Sequence, residues 1–240
     1  MRKCKEYNRK KNKRLARLAF RFLIAFVLSS VIVTIIYAIV PVPYTQLMLK
    51  RLIEQKANNK ELKLQKTWVP IEDISDNMIM AVIASEDQKF PDHYGFDWQS
   101  IKEAHLEKKE GKRFRGGSTI SQQTAKNVFL WNKKSYIRKG LEVWFTLLIE
   151  TIWGKERIME IYLNVAEFGD GIYGVEAASQ YYFHKPSEKL SKNEAALLAA
   201  ILPNPRRWNP SKPTRYLYNR QNWIVGQINN LAKPDFLLEK

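Results

Sequence analysis

The chain has 240 residues, 45% of them hydrophobic and 27% charged, with 40 Lys and Arg against 24 Asp and Glu. That length holds one sizeable domain or two small ones, and the composition excludes collagen, low-complexity disorder and a disulfide scaffold. The formal net charge of +16 invites a nucleic-acid reading. Residues 1–21, however, carry ten Lys or Arg and one Glu, so over half of the excess is one N-terminal tail.

The tail runs into Phe22–Val40, nineteen residues without a charge, extended by Pro41, Val42, Pro43 and Tyr44. At a rise of ~1.5 Å per residue such a run crosses a hydrocarbon layer of ~30 Å. Basic charge on the N-terminal side alone predicts the tail inside and the remainder outside. A cleaved signal peptide fits less well, because the run is long for an h-region and no small-x-small site follows. The predicted organisation is a basic cytoplasmic tail over 1–21, a transmembrane anchor over 22–43, a membrane-proximal stalk over 44–66, and one outer domain over 67–240. The lone cysteine, Cys4, falls in the reducing cytoplasm, so the outer domain is held by its core alone.

Tyr44–Lys66 is polar and Lys-rich, with helical spacing at Leu47, Leu49, Leu52 and Ile53. The first strong helix begins near Ser75, where Ile79, Val82, Ile83 and Glu86 fall at i, i+3, i+4 and i+7. Residues 91–118 read as irregular and turn-rich, ending in Arg115, Gly116, Gly117 and Ser118. A helix follows, with Thr119 and Gln122 placed as a capping box. Ser135–Trp153 is the clearest helix, with a stripe of Ile137, Leu141, Trp144, Phe145, Leu148 and Ile152 and a stop at Gly154. Lys155–Phe168 repeats the pattern, and Val175–Phe183 and Ser191–Leu202 follow a Gly-rich turn. Ser191 and Glu194 form a second capping box, and Leu217, Ile224, Ile228 and Leu231 mark the last helix. No segment alternates like a strand, so the outer part is predicted to be mostly α.

Few residues have chemical potential. Glu86 ends an apolar stripe near a helix C-terminus, where desolvation and the helix dipole disfavour its anion and suit it to proton transfer. The plainer reading, on spacing alone, is a Glu at the stripe's edge with its carboxylate in water. Asp87 lies ~100° further round the helix, which favours a capping or hydrogen-bonding role. Arg138, Lys139 and Glu142 share a region of one helix, and on spacing alone Arg138 and Glu142 make a surface ion pair worth a few tenths of a kcal/mol. Lys126 and the Gly116-Gly117-Ser118 helix start are individually weak. Together they offer free backbone N–H groups, a hydroxyl and cations, which is what a pyrophosphate needs.

Three leads are set aside. Gly169, Gly171 and Gly174 spell GxGxxG, but that fingerprint needs a preceding strand and here a helical pattern precedes it. His93, His105 and His184 lie far apart with no Cys beside them, which argues against zinc. The aromatic residues follow apolar faces and not a basic stripe, so no nucleic-acid partner is expected.

At this point the residues resemble a family. Glu86-Asp-Gln-Lys-Phe90, with His93, Gly95 and Asp97, resembles the first motif of the peptidoglycan glycosyltransferases of family 51. Gly116-Gly-Ser-Thr-Ile-Ser-Gln-Gln123, with Lys126 and Asn127, is similar to the second, and Arg138-Lys139-x-x-Glu142 to the third. Lys155, Ile158, Glu160, Tyr162 and Asn164, with the following glycines and Ala177-Ala178, resemble the fourth. Leu190, Ser191, Glu194, Ala195 and Ala196 resemble the fifth. One departure is Lys134, where many members have Arg; charge is kept and a bidentate fork is lost.

The resemblance implies a lysozyme-like helical domain with a small membrane-associated lobe, in the monofunctional form, since the chain ends about thirty residues beyond the fifth motif. It implies that lipid II is polymerised into glycan strands, with inversion at MurNAc C1 and release of undecaprenyl pyrophosphate. Glu86 is then the general base. Lys126, Arg138 and Lys139 serve the leaving group, and Ser118 and Gln122 orient sugar or phosphate. Glu142 either positions the cations or helps to hold a divalent cation, Mg or Mn, on the pyrophosphate; no other cofactor is implied. The implied partners are lipid II, the growing glycan strand, membrane lipid, and candidates among cell-wall synthesis or division proteins. The wording of the third to fifth motifs is most similar to Gram-negative members, which implies the inner membrane and a periplasmic domain. A membrane-anchored muramidase or lytic transglycosylase, and a non-catalytic scaffold, are the competing expectations.

Overall fold

A computed structural model describes residues 2–109, 117–133 and 135–238. Gly116 and Lys134, and the side chains of Cys4 and His105, lie outside the described residues. The chain divides into two units, 1–40 and 41–240. The first is a single helix, α1 (Arg2–Ile39), whose stretch Asn12–Ile39 is long and apolar enough to cross a membrane.

The second unit begins earlier than the sequence suggests. Val42 is buried, and the Lys66 ammonium donates to the Val42 and Pro43 carbonyls. The segment expected as a stalk is part of the same unit. It forms α2 (Gln46–Ala57), capped by Thr45, and β1 (Gln65–Lys66). Arg51 of α2 pairs with the buried Glu167 carboxylate at 3.3 Å, which ties this segment to the domain.

α3 (Asp76–Glu86) starts at the Ser75 cap as expected, but Met78 through Ala84 are all buried, so it is a central helix and not an amphipathic one. The supposedly irregular 91–118 region contains α4 (Trp98–Lys109), started by Asp97, whose carboxylate accepts from the Ser100 amide at 2.9 Å. α5 (Ile120–Phe129) carries the predicted box, with Thr119 and Gln122 bonded reciprocally. α6 (Tyr136–Ile152) and α7 (Gly154–Val165) follow.

In α6 the buried face is Glu142, Phe145, Thr146, Ile149 and Glu150, while Ile137, Val143 and Leu147 are exposed. Of the apolar stripe read from the sequence, Phe145 is buried, Leu141, Trp144, Leu148 and Ile152 are partly buried, and Ile137 alone is exposed. Polar groups inside are satisfied locally: Glu150 accepts from Lys155 at 2.8 Å and from the Ser121 hydroxyl.

Among the described residues, three short strands were invisible to alternation because none exceeds three residues. β2 (Glu167–Gly169) pairs antiparallel with β3 (Ile172–Tyr173), and β1 lies parallel on the other side of β3. Then come α8 (Val175–Phe183), α9 (Lys192–Ile201), α10 (Arg215–Asn230) and the four-residue α11 (Asp235–Leu238). α3, α9 and α10 pack together, as do α5, α6 and α7.

The GxGxxG stretch does contain a strand, contrary to the reason given for dismissing it. Its glycines nonetheless serve packing. Gly171 has φ +73°, and a Cβ there would collide with the Lys63 carbonyl beside β1. Gly171→Ala should lower unfolding stability by at least ~2 kcal/mol, combining a left-handed backbone with a steric clash. The check is the urea midpoint at unchanged slope.

Candidate active site

Glu86 is the last residue of α3 and is half-buried. Its Oε2 accepts from the Gln123 amide at 3.0 Å, and the Gln123 carbonyl oxygen accepts from the buried Tyr162 hydroxyl at 3.4 Å. Desolvation pushes the Glu86 pKa above the ordinary Glu range, against the Gln123 hydrogen bond and the charges of Arg220 and Lys126. The carboxyl is thus held in one orientation and made more basic, the combination that general-base chemistry requires.

Asp87 follows, and both its oxygens are engaged. Oδ2 accepts from the Ile120 amide at 3.0 Å, and the His93 ring lies 3.0–3.1 Å from the pair. Asp87 thereby joins the end of α3 to the start of α5. Lys155 donates to the His93 carbonyl and to Glu150, which fixes the intervening loop. The structural role expected for Asp87 is the one observed.

Glu86 lines a cavity of about 510 Å³, open to solvent and walled by Ser118, Thr119 and Trp223 among others. Ser118 also borders a second cavity of about 220 Å³, formed by Gln122, Gln123, Lys126, Asn132, Arg138, Lys139 and Glu142. The Glu142 carboxylate takes Arg138 on one oxygen and Lys139 on the other, both at 2.5 Å. Glu142 is 3% exposed, so this is not the surface pair that spacing suggested. Among the described residues, three cations here face one carboxylate. Burial, then the repulsion of Arg138 and Lys139, lowers the Lys126 pKa against the attraction of Glu142. The Arg138 Nε is buried with no hydrogen-bond partner. An uncompensated, donor-rich cavity of this kind fits a phosphate group.

With this geometry in hand, comparison with known proteins is decisive. The transglycosylase family profile matches residues 53–229. The chain belongs to the transglycosylase family. It is 46% identical over 223 residues to a biosynthetic peptidoglycan transglycosylase of Pseudomonas fluorescens, covering 93% of each chain. It is 47% identical over 226 residues to one from Mannheimia succiniciproducens, covering 94% of this chain and 93% of the other. It is 52% identical over 205 residues to one from Escherichia coli, covering 84% of each.

Transglycosylase motifs thus explain why residues far apart in sequence converge here. Glu86, Ser118, Lys126, Arg138, Lys139 and Glu142 all line the two adjoining cavities. Gln122 does too, but its side-chain oxygen accepts from the Thr119 amide at 3.1 Å, so it serves the helix cap first. The glutamine that reaches the carboxylate is Gln123, which the sequence reading passed over. Asn132 was also missed, and so was the contribution of α10 through Trp223 and Gln227.

Proposed function

We propose that this chain is a membrane-anchored peptidoglycan glycosyltransferase that polymerises lipid II into glycan strands. The observation that carries this is the pairing of two adjoining cavities at Ser118. One holds a carboxyl made basic by burial, and the other holds cations in excess of carboxylates.

The acceptor's GlcNAc 4-hydroxyl gives its proton to Glu86 as its oxygen attacks C1 of the donor MurNAc. The C1–oxygen bond to the pyrophosphate breaks, the configuration at C1 inverts, and undecaprenyl pyrophosphate departs. Its negative charge meets Lys126, Arg138 and Lys139, where preorganised donors in a partly desolvated site are most effective. Ser118, at the junction, orients the substrate between the two sides. Glu142 positions the cations. Both its oxygens are already engaged by cations and Lys126 stands nearby, a donor set that does not fit a protein-held divalent ion. No step is assigned to a metal.

The basic tail lies in the cytoplasm, α1 spans the inner membrane, and unit 41–240 is periplasmic, where lipid II presents its sugars. Tyr136 and Ile137, 99% and 75% exposed at the start of α6, suit a lobe that contacts lipid. A muramidase has no use for the cation-rich cavity, which disfavours that alternative.

Full-length protein in detergent, incubated with lipid II, should yield glycan polymer and undecaprenyl pyrophosphate. Cleavage of preformed glycan alone would instead identify a hydrolase or lytic enzyme, and no reaction with either substrate a scaffold.

A further inference from the structure

α10 lies beyond the fifth motif. It packs on α3 and α9 and runs past the end of α3, where Glu86 sits. Gln227 of α10 accepts from the Gln88 amide at 3.1 Å, which fastens the helix beside the Glu86 cavity. Trp223, one turn earlier, lines that cavity and remains 46% exposed, an aromatic face offered to whatever enters. Arg220 lies one further turn back, with its guanidinium 5.5 Å from the Trp223 ring centroid. Its Nε is buried with no hydrogen-bond partner, and no ion pair joins it to Glu86.

The cavity that Trp223 faces is on the Glu86 side of Ser118, away from Arg138, Lys139 and Glu142. Its occupant is therefore the sugar that supplies the hydroxyl, not the pyrophosphate. Sugar rings present apolar C–H faces that pack on indole, and a Trp next to a cation is held in place by the cation–π contact.

We propose that α10 forms the acceptor-sugar wall of the active site, with Trp223 as the stacking platform and Arg220 as a positioning residue that braces Trp223. The role of α10 rests on the glycosyltransferase function proposed above. Besides the Gln123 amide that bonds the Glu86 carboxyl, the charged or titratable groups among the described residues that act on it are Asp87 adjacent in sequence, Lys126 from α5, Tyr162 from α7 and Arg220 from α10. Arg220 is the cation whose charge favours ionised Glu86 most.

The test uses the full-length protein in detergent, with Trp223→Ala, Trp223→Phe, Arg220→Met and Arg220→Lys. Two readouts are needed: lipid II kinetics, and calorimetric titration with the soluble GlcNAc–MurNAc disaccharide. Trp223→Ala should raise KM for lipid II by about 3- to 10-fold, the equivalent of one lost aromatic contact, with kcat much less affected. Disaccharide affinity should fall in proportion, and Trp223→Phe should recover most of both. Arg220→Met should move the acidic limb of kcat/KM to higher pH, and Arg220→Lys should restore it. A structural role alone would not shift that limb. Normal KM and disaccharide affinity in Trp223→Ala would overturn the platform, and an unmoved limb in Arg220→Met would overturn the positioning role. Disaccharide binding that depends on Trp223 in a protein unable to polymerise lipid II would overturn the enzymatic function while sustaining the sugar wall.

Discussion

Glu86→Gln is expected to reduce lipid II polymerisation by at least ~10², the scale of a lost general base. The substitution keeps the shape of the side chain and a hydrogen-bonding partner for Gln123, so substrate binding should survive. A companion effect runs the other way. Burial raises the Glu86 pKa in the folded chain. Ionisation therefore costs the native state stability as pH rises from the unfolded-state pKa through the higher folded one. Below both values the group is protonated in either state and the cost is absent. Glu86→Gln removes the cost, so the variant should be more stable than the native protein near neutrality. That advantage should vanish on acidification below the ordinary Glu range. Lost turnover with gained stability is the mark of a residue kept for chemistry. Near-normal turnover would remove Glu86 from the role of base. Thermal unfolding across pH, read beside the rate, checks both halves.

How much of this was legible beforehand differs by element. The starts of α3, α5, α6 and α9 were readable because a Ser or Thr cap acts on its own next turn. No distant partner is needed to place it. The motifs likewise name Glu86, Lys126, Arg138, Lys139 and Glu142 in their local settings. What failed depended on tertiary surroundings. The α6 stripe was legible as a helix, but apolar spacing reports a period and not which side is inside. The buried side also carries Glu142, Thr146 and Glu150, the last held by the Ser121 hydroxyl of α5, a partner that apolar spacing does not reveal.

Segment 44–66 was read as a stalk since it is polar and lies beside the anchor. Its place in the domain is set by single long-range contacts, Arg51 with Glu167 and β1 with β3. Gln123 was overlooked in favour of Gln122 for a related reason. One step along a helix turns a side chain by ~100°, and only the position of α3 decides which of the two meets Glu86. The walls made by α10 belong to the same class, since Trp223 is 137 residues from Glu86 in the chain and reaches it only through packing.

Glu142 offers the sharpest separation of structural from catalytic work. It is buried, and the Arg138 side chain that meets it is only 12% exposed, so removing the carboxylate strands a guanidinium beside Lys126. Glu142→Ala should cost about 3 kcal/mol of stability, the lower end for breaking a buried pair by one partner. Lys139, 48% exposed, turns to water and adds little. Polymerisation should fall by more than the unfolded fraction explains, because Arg138 and Lys139 lose the anchor that aims them at the leaving group. The double variant Arg138→Met/Glu142→Met distinguishes the two effects. Apolar replacement of both partners is often neutral or stabilising, so much of the lost stability should return. Activity should not, since the cation is gone. If the double variant recovered turnover along with stability, the pair would be scaffolding and the pyrophosphate would have to be held by other groups. If instead neither returned, the carboxylate's hydrogen bonds would matter more to the fold than its charge balance. Urea unfolding and lipid II turnover on the same preparations decide among these outcomes.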